Sequence, residues 1–284
     1  MLKLLKNRLN NKLVVGCIGS NSTLAKELIK QYNNRIIFKI YKGKIENIKL
    51  IENWLLNNKN INILINFAAI TSVYNCEKNK KKALKVNCFS VIKLLETLNK
   101  IKMTNFEYFL AISTSHVFKK SLFKLKESSE KKPYNYYGFS KLLLEKYILR
   151  NYKKFYFKIG IARIFNYYNK NSKKGFFIND TINKFKKKTK TIKFKNINTY
   201  RDYVSIKDIS KAIYRMINCK MILDFNICSG KKIFLPNIIK KIQKKYKNKI
   251  VIFNKKRVKD LVGSNIKFKR AGWKVSKYNV LNDL

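Results

Sequence analysis

Tyr108-Phe109-Leu110-Ala111-Ile112 runs into a hydroxyl cluster, Ser113-Thr114-Ser115-His116, and after a loop Pro133-Tyr134-Asn135-Tyr136-Tyr137-Gly138-Phe139-Ser140-Lys141 opens a long apolar pattern. The first piece reads as a buried strand. The second reads as a helix on which Tyr137 and Lys141, four apart, share one face. A fixed ammonium beside a phenol favours the phenolate and lowers its pKa, giving a tyrosine that donates and accepts a proton near neutrality. Thr114, at the strand end, is placed to hold the reacting oxygen. His116 follows two residues later, on the same face if strand geometry continues.

Outward from this unit the same alternation recurs. Lys12 to Ile18 is an apolar run suited to a buried parallel strand; it leads into Gly19-Ser20-Asn21-Ser22-Thr23-Leu24-Ala25 and a helix over Lys26 to Gln31. Arg35 to Ile40 is the next strand, Leu50 to Leu56 a helix, and Ile61 to Ile65 a strand ending in Asn66-Phe67-Ala68-Ala69, whose small residues let a flat ring lie against the backbone. Val91 to Leu98 reads as a helix, and Ile159 to Asn166 as another strand, carrying Arg163. Strands alternating with helices predict a doubly wound α/β fold with a parallel sheet.

The 284 residues, 46% of them hydrophobic, suffice for one large core or a large and a small one. No run of 18 apolar residues exists, and Met1-Leu2-Lys3-Leu4-Leu5-Lys6 is too short and too charged for a signal peptide. Cys17, Cys76, Cys88, Cys219 and Cys228 form no Cys-x-x-Cys pair, and one histidine gives no zinc ligand set, so no metal is expected. Reduced thiols and a cytoplasmic protein are the plain expectation. A net charge of +50 raises a polyanion partner. Against nucleic acid, only eight of the 65 basic residues are arginine, and the lysines are spread over nearly every segment. The joint enrichment in Lys, Asn, Ile, Tyr and Phe fits an AT-rich coding sequence. Such a field still attracts small anions.

Taken together these segments resemble the extended short-chain dehydrogenase/reductase superfamily, in its NAD-dependent epimerase/dehydratase branch that acts on nucleotide sugars. The Ser/Thr of that family falls on Thr114 and its Tyr-x-x-x-Lys on Tyr137 and Lys141. Its Gly-x-x-Gly-x-x-Gly turn falls on Gly19, Ser22 and Ala25; the alternative register on Gly16, Gly19 and Ser22 places Ala25 at a core leucine. Asn66 to Ala69, Thr71 to Glu77, Val86-Asn87, Arg163 to Asn166, Arg201-Asp202-Tyr203-Val204 with Asp208, Phe225 to Gly230, Val262 to Asn265 and Ala271 to Lys274 follow in the family's order, with Trp273 as a packing residue.

The resemblance implies a Rossmann-type NAD(P)-binding domain over 11–165 and, over 166–284, a smaller substrate-binding α/β subdomain with segments returning to the main sheet. It implies cofactor contacts from Gly19, Ser22, Thr23, Leu24, Lys44, Ile45, Phe67, Ala68, Ala69, Tyr137 and Lys141. It implies substrate contacts from Thr114, Tyr137, Asn166 and Arg201, with Asn87 at the site wall. No acid follows the second strand, where Lys39, Lys42 and Lys44 stand instead, which favours NADP over NAD. The chemistry implied is hydride transfer at carbon 4 of a nucleotide-linked hexose, as a 4-keto-6-deoxysugar reductase or, alternatively, a 4-epimerase, in a homodimer. Relatives that dehydrate the sugar carry a carboxylate base where this chain has His116, so a 4,6-dehydratase is disfavoured. An imidazole there would either exchange a proton beside a ketone or only hydrogen-bond. With two of the three turn glycines replaced, the same fold serving as a catalytically weak binding protein is the remaining alternative.

Overall fold

The computed structural model describes residues 12–169, 175–246, 249–253 and 256–284. The segments Met1 to Lys6, the domain start at Asn11 and the polar turn from Lys170 lie outside them. The strands are β1 (Leu13–Ile18), β2 (Ile36–Tyr41), β3 (Ile63–Asn66), β4 (Tyr108–Thr114), β5 (Lys158–Ile164), β6 (Thr191–Phe194), β7 (Tyr200–Arg201), β8 (Leu223–Ile227), β9 (Ile233–Phe234) and β10 (Ile250–Phe253). The helices are α1 (Thr23–Tyr32), α2 (Ile48–Leu56), α3 (Val73–Lys78), α4 (Lys80–Leu84), α5 (Ser90–Ile101), α6 (Tyr136–Asn151), α7 (Phe177–Phe185), α8 (Ile206–Asn218), α9 (Leu235–Gln243) and α10 (Ile266–Arg270).

β2, β1, β3, β4, β5 and β8 lie in that order in one sheet, and every pair is parallel. The apolar runs are continuous because the inner strands are covered on both faces. Val14, Leu64, Phe109 and Ile161 pack on one face against α2, α5 and α6. Val15, Ile65, Leu110 and Ala162 pack on the other against α1 and α8, where Tyr32 stacks on Tyr214 with centroids 4.1 Å apart. The chain winds one way from β1 to β2 and the other way from β3 onward, so the strand order reverses at the β1–β3 pair. A crevice for a ligand opens there, beyond the carboxyl ends of the strands. After 166 the chain returns to the sheet as β8. The β6–β10 and β7–β9 pairs lie outside it, and Ile178, Phe185, Phe194 and Ile239 belong to a separate apolar cluster.

Candidate active site

The turn after β1 is the first wall of the site. Gly19 has φ 77°, and a Cβ there would stand 2.4 Å from the Ala68 nitrogen, so the two strand-end turns meet backbone to backbone. Phe67 N–H donates to the Ile18 carbonyl at 2.8 Å and completes that contact. Ser22 is extended, at φ −67° and ψ 149°, and its hydroxyl accepts from Ala25 N–H at 3.2 Å as the cap of α1. This backbone needs no glycine at 22, and a serine supplies the cap that glycine lacks. Ala25 is fully buried against the sheet. Gly16, by contrast, lies inside β1.

The second wall is the junction of β4 and α6. Asn135 caps α6 by accepting from Gly138 N–H at 2.8 Å, and Gly138 lets the helix start against the His116 carbonyl, 2.2 Å from where a Cβ would sit. The first turn of α6 therefore lies directly over the end of β4. Thr114, His116, Tyr137 and Lys141 all line one cavity of about 1200 Å3, together with Gly19, Ser22, Thr23, Leu24, Phe67, Ala68 and Ala69 from the first wall. Asn166 and Arg201 line the same cavity. The Asn166 amide donates to the Asp202 carbonyl at 3.0 Å, and the Arg201 guanidinium to the Thr199 hydroxyl at 2.8 Å.

Lys141 is 2% exposed and donates to the Ile112 carbonyl at 2.8 Å. Among the described residues no carboxylate lies within ion-pair distance of it. Burial pulls its ammonium down to about 8, with Glu145 opposing. The tyrosine behaves differently from the sequence expectation. Burial pushes the Tyr137 phenol well above its ordinary value, and a hydrogen bond with Thr114 offsets only part of that. The net shift is opposite to the expected lowering, because burial is the largest influence on the phenol.

Four further expectations differ from the placement seen. Ile45 is buried in the core, Lys44 is exposed on the turn after β2, and neither lines the cavity. Lys39 and Lys42 do not line it either; Lys26 and Lys30, on the exposed side of α1, do. Asn87 is no wall residue but a fully buried brace. Its amide holds both the N–H and the carbonyl of Ile70 and donates to the Ser140 hydroxyl at 3.0 Å, tying the turn after β3 to the base of α6. It sits in a single π-helical turn, Lys85–Phe89, that widens the run between α4 and α5. Strand geometry stops at Thr114: a 3-10 turn, Ser115–Val117, follows, with His116 N–H on the Thr114 hydroxyl at 3.3 Å. His116 reaches the cavity through this turn instead.

Tyr134, Tyr167, Lys195 and Asn196 also line the cavity and carried no motif that would single them out. Glu27, on α1, is the only carboxylate residue among the described lining residues. The turn at Gly19, the N-terminus of α1 and the small Ala68 and Ala69 fit a dinucleotide, whose pyrophosphate is taken by a helix N-terminus and whose rings lie on backbone.

A doubly wound sheet with a phosphate-type turn at its switch point and a Thr/Tyr/Lys set beside it defines an extended short-chain dehydrogenase/reductase. The chain belongs to the family described as GDP-mannose 4,6 dehydratase, whose sequence model matches residues 3–275. This is an enzyme family of nucleotide-sugar dehydratases, dehydrogenases and epimerases. The chain is similar to the GDP-6-deoxy-D-talose 4-dehydrogenase of Aggregatibacter actinomycetemcomitans, at 28% identity over 220 residues covering 75% of this chain and 73% of that one. It is also similar to the dTDP-D-glucose 4,6-dehydratase of Dictyostelium discoideum, at 32% identity over 188 residues covering 62% of this chain and 42% of that protein. In fold it is similar to RMD from Pseudomonas aeruginosa complexed with NADPH, with TM-score 0.80, 18% identity and coverage of 93% and 94% of the two chains. A UDP-glucose 4-epimerase of Thermotoga maritima, complexed with UDP-glucose, gives TM-score 0.78 and 18% identity over 95% of each chain.

Proposed function

We propose that the protein is a cytoplasmic NAD(P)-dependent reductase acting on the 4-keto group of a nucleotide-linked 6-deoxyhexose. The observation that carries this reading is the composition of the reacting end of the cavity. Thr114, Tyr137 and Lys141 line that end together, and the one lining carboxylate among the described residues is on α1, across the nucleotide turn. Dehydration needs a base to take a carbon-bound proton and an acid to release water, and among the described residues no carboxylate lines the cavity at the Thr114 end for either task. Carbonyl reduction needs one proton at one oxygen. The relative from Aggregatibacter is named as a 4-dehydrogenase, and its reaction run in reverse is reduction of a 4-ketone.

In this mechanism Tyr137 gives its proton to the 4-oxygen, and its high pKa keeps it protonated and ready to donate. Thr114, hydrogen-bonded to Tyr137, orients that oxygen. Lys141 holds positive charge beneath the site and favours the phenolate that forms. The nicotinamide cofactor, when bound, supplies or takes the hydride. Gly19, Ser22, Thr23, Leu24, Phe67, Ala68 and Ala69 hold it, and Lys26 and Lys30 replace Lys39, Lys42 and Lys44 as the cations placed for a 2′-phosphate, which favours NADP. Asn166 and Arg201 face the nucleotide diphosphate of the substrate, and residues 166–284 mainly cover the sugar.

The test is the nucleotide released on denaturing freshly purified protein, identified by mass, followed by reduced-cofactor oxidation with a nucleotide-linked 4-keto-6-deoxyhexose. The reductase reading expects an empty protein that oxidises one NADPH per sugar. Retained NAD with no net consumption would replace it by a 4-epimerase, and binding of neither dinucleotide by a non-catalytic protein.

A further inference from the structure

His116 is the one histidine in the chain, and Asn135 and Tyr134, just before α6, meet its ring at Nδ1. The Asn135 amide lies 2.8 Å from His116 Nδ1 and the Tyr134 hydroxyl 3.4 Å from it. Which end of that amide faces the ring is fixed by a second bond. Asn135 Oδ1 already accepts from Gly138 N–H as the cap of α6, so it is the Nδ2 hydrogens that point at His116. Nδ1 is thus an acceptor, and the ring proton sits on Nε2.

The groups around the ring point the same way. Tyr134 stacks on it with centroids 5.4 Å apart, and Tyr137 meets it edge-on at 5.6 Å. Burial, then the Arg201 guanidinium and the Lys120 ammonium, hold the imidazole down to about 4. No carboxylate is among the groups acting on it.

We propose that Asn135 locks His116 in the neutral Nε2–H tautomer, so that His116 donates a hydrogen bond to an oxygen of the sugar and is not a base. The remaining nitrogen lone pair is spent on Asn135, and a base needs that lone pair free. The reaction therefore exchanges no carbon-bound proton of the sugar with solvent, which restricts the substrate class to keto sugars reduced without inversion at the carbons flanking the ketone. Asn135 is a positioning residue; His116 is the group that meets substrate. This inference rests on the reductase reading for its chemistry and not for its tautomer.

With one histidine, ring nitrogen-15 resonances of histidine-labelled, untagged protein report the tautomer without ambiguity and without substrate. At pH 7 the expected state is Nε2–H, with no imidazolium signal; an Nδ1–H or imidazolium state would overturn the proposal. Asn135→Asp keeps a helix cap but presents an acceptor to Nδ1, and the expected result is a switch to Nδ1–H or to the charged ring. An unchanged tautomer in a folded Asn135→Asp protein would remove Asn135 from the account. In deuterated water the wild-type product should carry no deuterium on carbon 3 or 5, and incorporation there would show a base at work. The nitrogen spectra stand whether or not the protein reduces a keto sugar, so failure of one reading is visible apart from the other.

Discussion

Two buried cations lie beside the same stretch of α6 and are treated in opposite ways. Arg163, on β5, has no exposed surface and is gripped by Glu145, with Nη2 2.7 Å and Nε 3.0 Å from its carboxylate, and by Asp224 on β8. Lys141 stands one turn before Glu145 on α6 and feels it through space but makes no ion pair with it; its ammonium donates to a backbone carbonyl. Glu145 is drawn away by Arg163 and by the Ser113 hydroxyl. The difference separates stability from function. A fully compensated charge fixes where strands and helix meet, and an uncompensated one keeps a field available at the cavity.

Removing the compensated charge should have the largest effect on folding. Arg163→Met leaves the Glu145 carboxylate without its cation in a dry interior and should cost about 3–5 kcal/mol in urea unfolding. A cost below about 1 kcal/mol would show that Glu145 needs no cation in the folded protein.

Lys141→Met should do the reverse: it should cut turnover by about 100-fold or more, as loss of proton-transfer support does, while raising stability. The sign follows from the protons bound. Lys141 titrates near 8 when folded and at its ordinary 10.5 when unfolded, so between these values the unfolded chain holds more protons and stability rises with pH. Below pH 8 the folded protein bears the full cost, on the order of 3 kcal/mol, and above pH 10.5 none of it. Wild-type stability should therefore climb relative to Lys141→Met from pH 8 to 10. Over the same range kcat/KM should fall as the ammonium is lost; a flat difference in stability would place a counter-ion on Lys141.

Asn87→Ala strands the Ile70 amide and carbonyl and should cost about 1–3 kcal/mol, with KM for the cofactor rising as the turn carrying Ala68 and Ala69 loosens. The smallest effect belongs to the nucleotide turn. Ser22→Gly should change stability by only a few tenths of a kcal/mol and leave dinucleotide affinity within about threefold, since the backbone there is already extended. Tighter binding by more than tenfold would show that the serine impedes the cofactor.

The contrast also marks what the sequence could and could not disclose. Sheet strands were legible because continuous apolar runs such as Leu13–Ile18 and Tyr108–Ile112 are buried on both faces, and α6 because Tyr137, Lys141 and its leucines recur at helical spacing. Arg163 stood out only as a rare arginine at a motif position; that it is paid in full by Glu145, 18 residues away on another element, is a tertiary fact. The cations of the cavity were hidden by the lysine background, in which Lys26 and Lys30 look no different from Lys39, Lys42 and Lys44. The state of His116 depends on Asn135 serving as helix cap and ring partner at once, and no spacing records that double use.

The central claim is that the Thr114, Tyr137 and Lys141 junction performs proton transfer at a sugar carbonyl. Its most direct test is NADPH oxidation with a nucleotide-linked 4-keto-6-deoxyhexose by wild-type and Tyr137→Phe proteins, with cofactor affinity measured alongside. The expected result is a loss of about 10²- to 10⁴-fold in turnover with NADPH affinity within a few fold of wild type. Unchanged turnover in Tyr137→Phe would contradict the assignment.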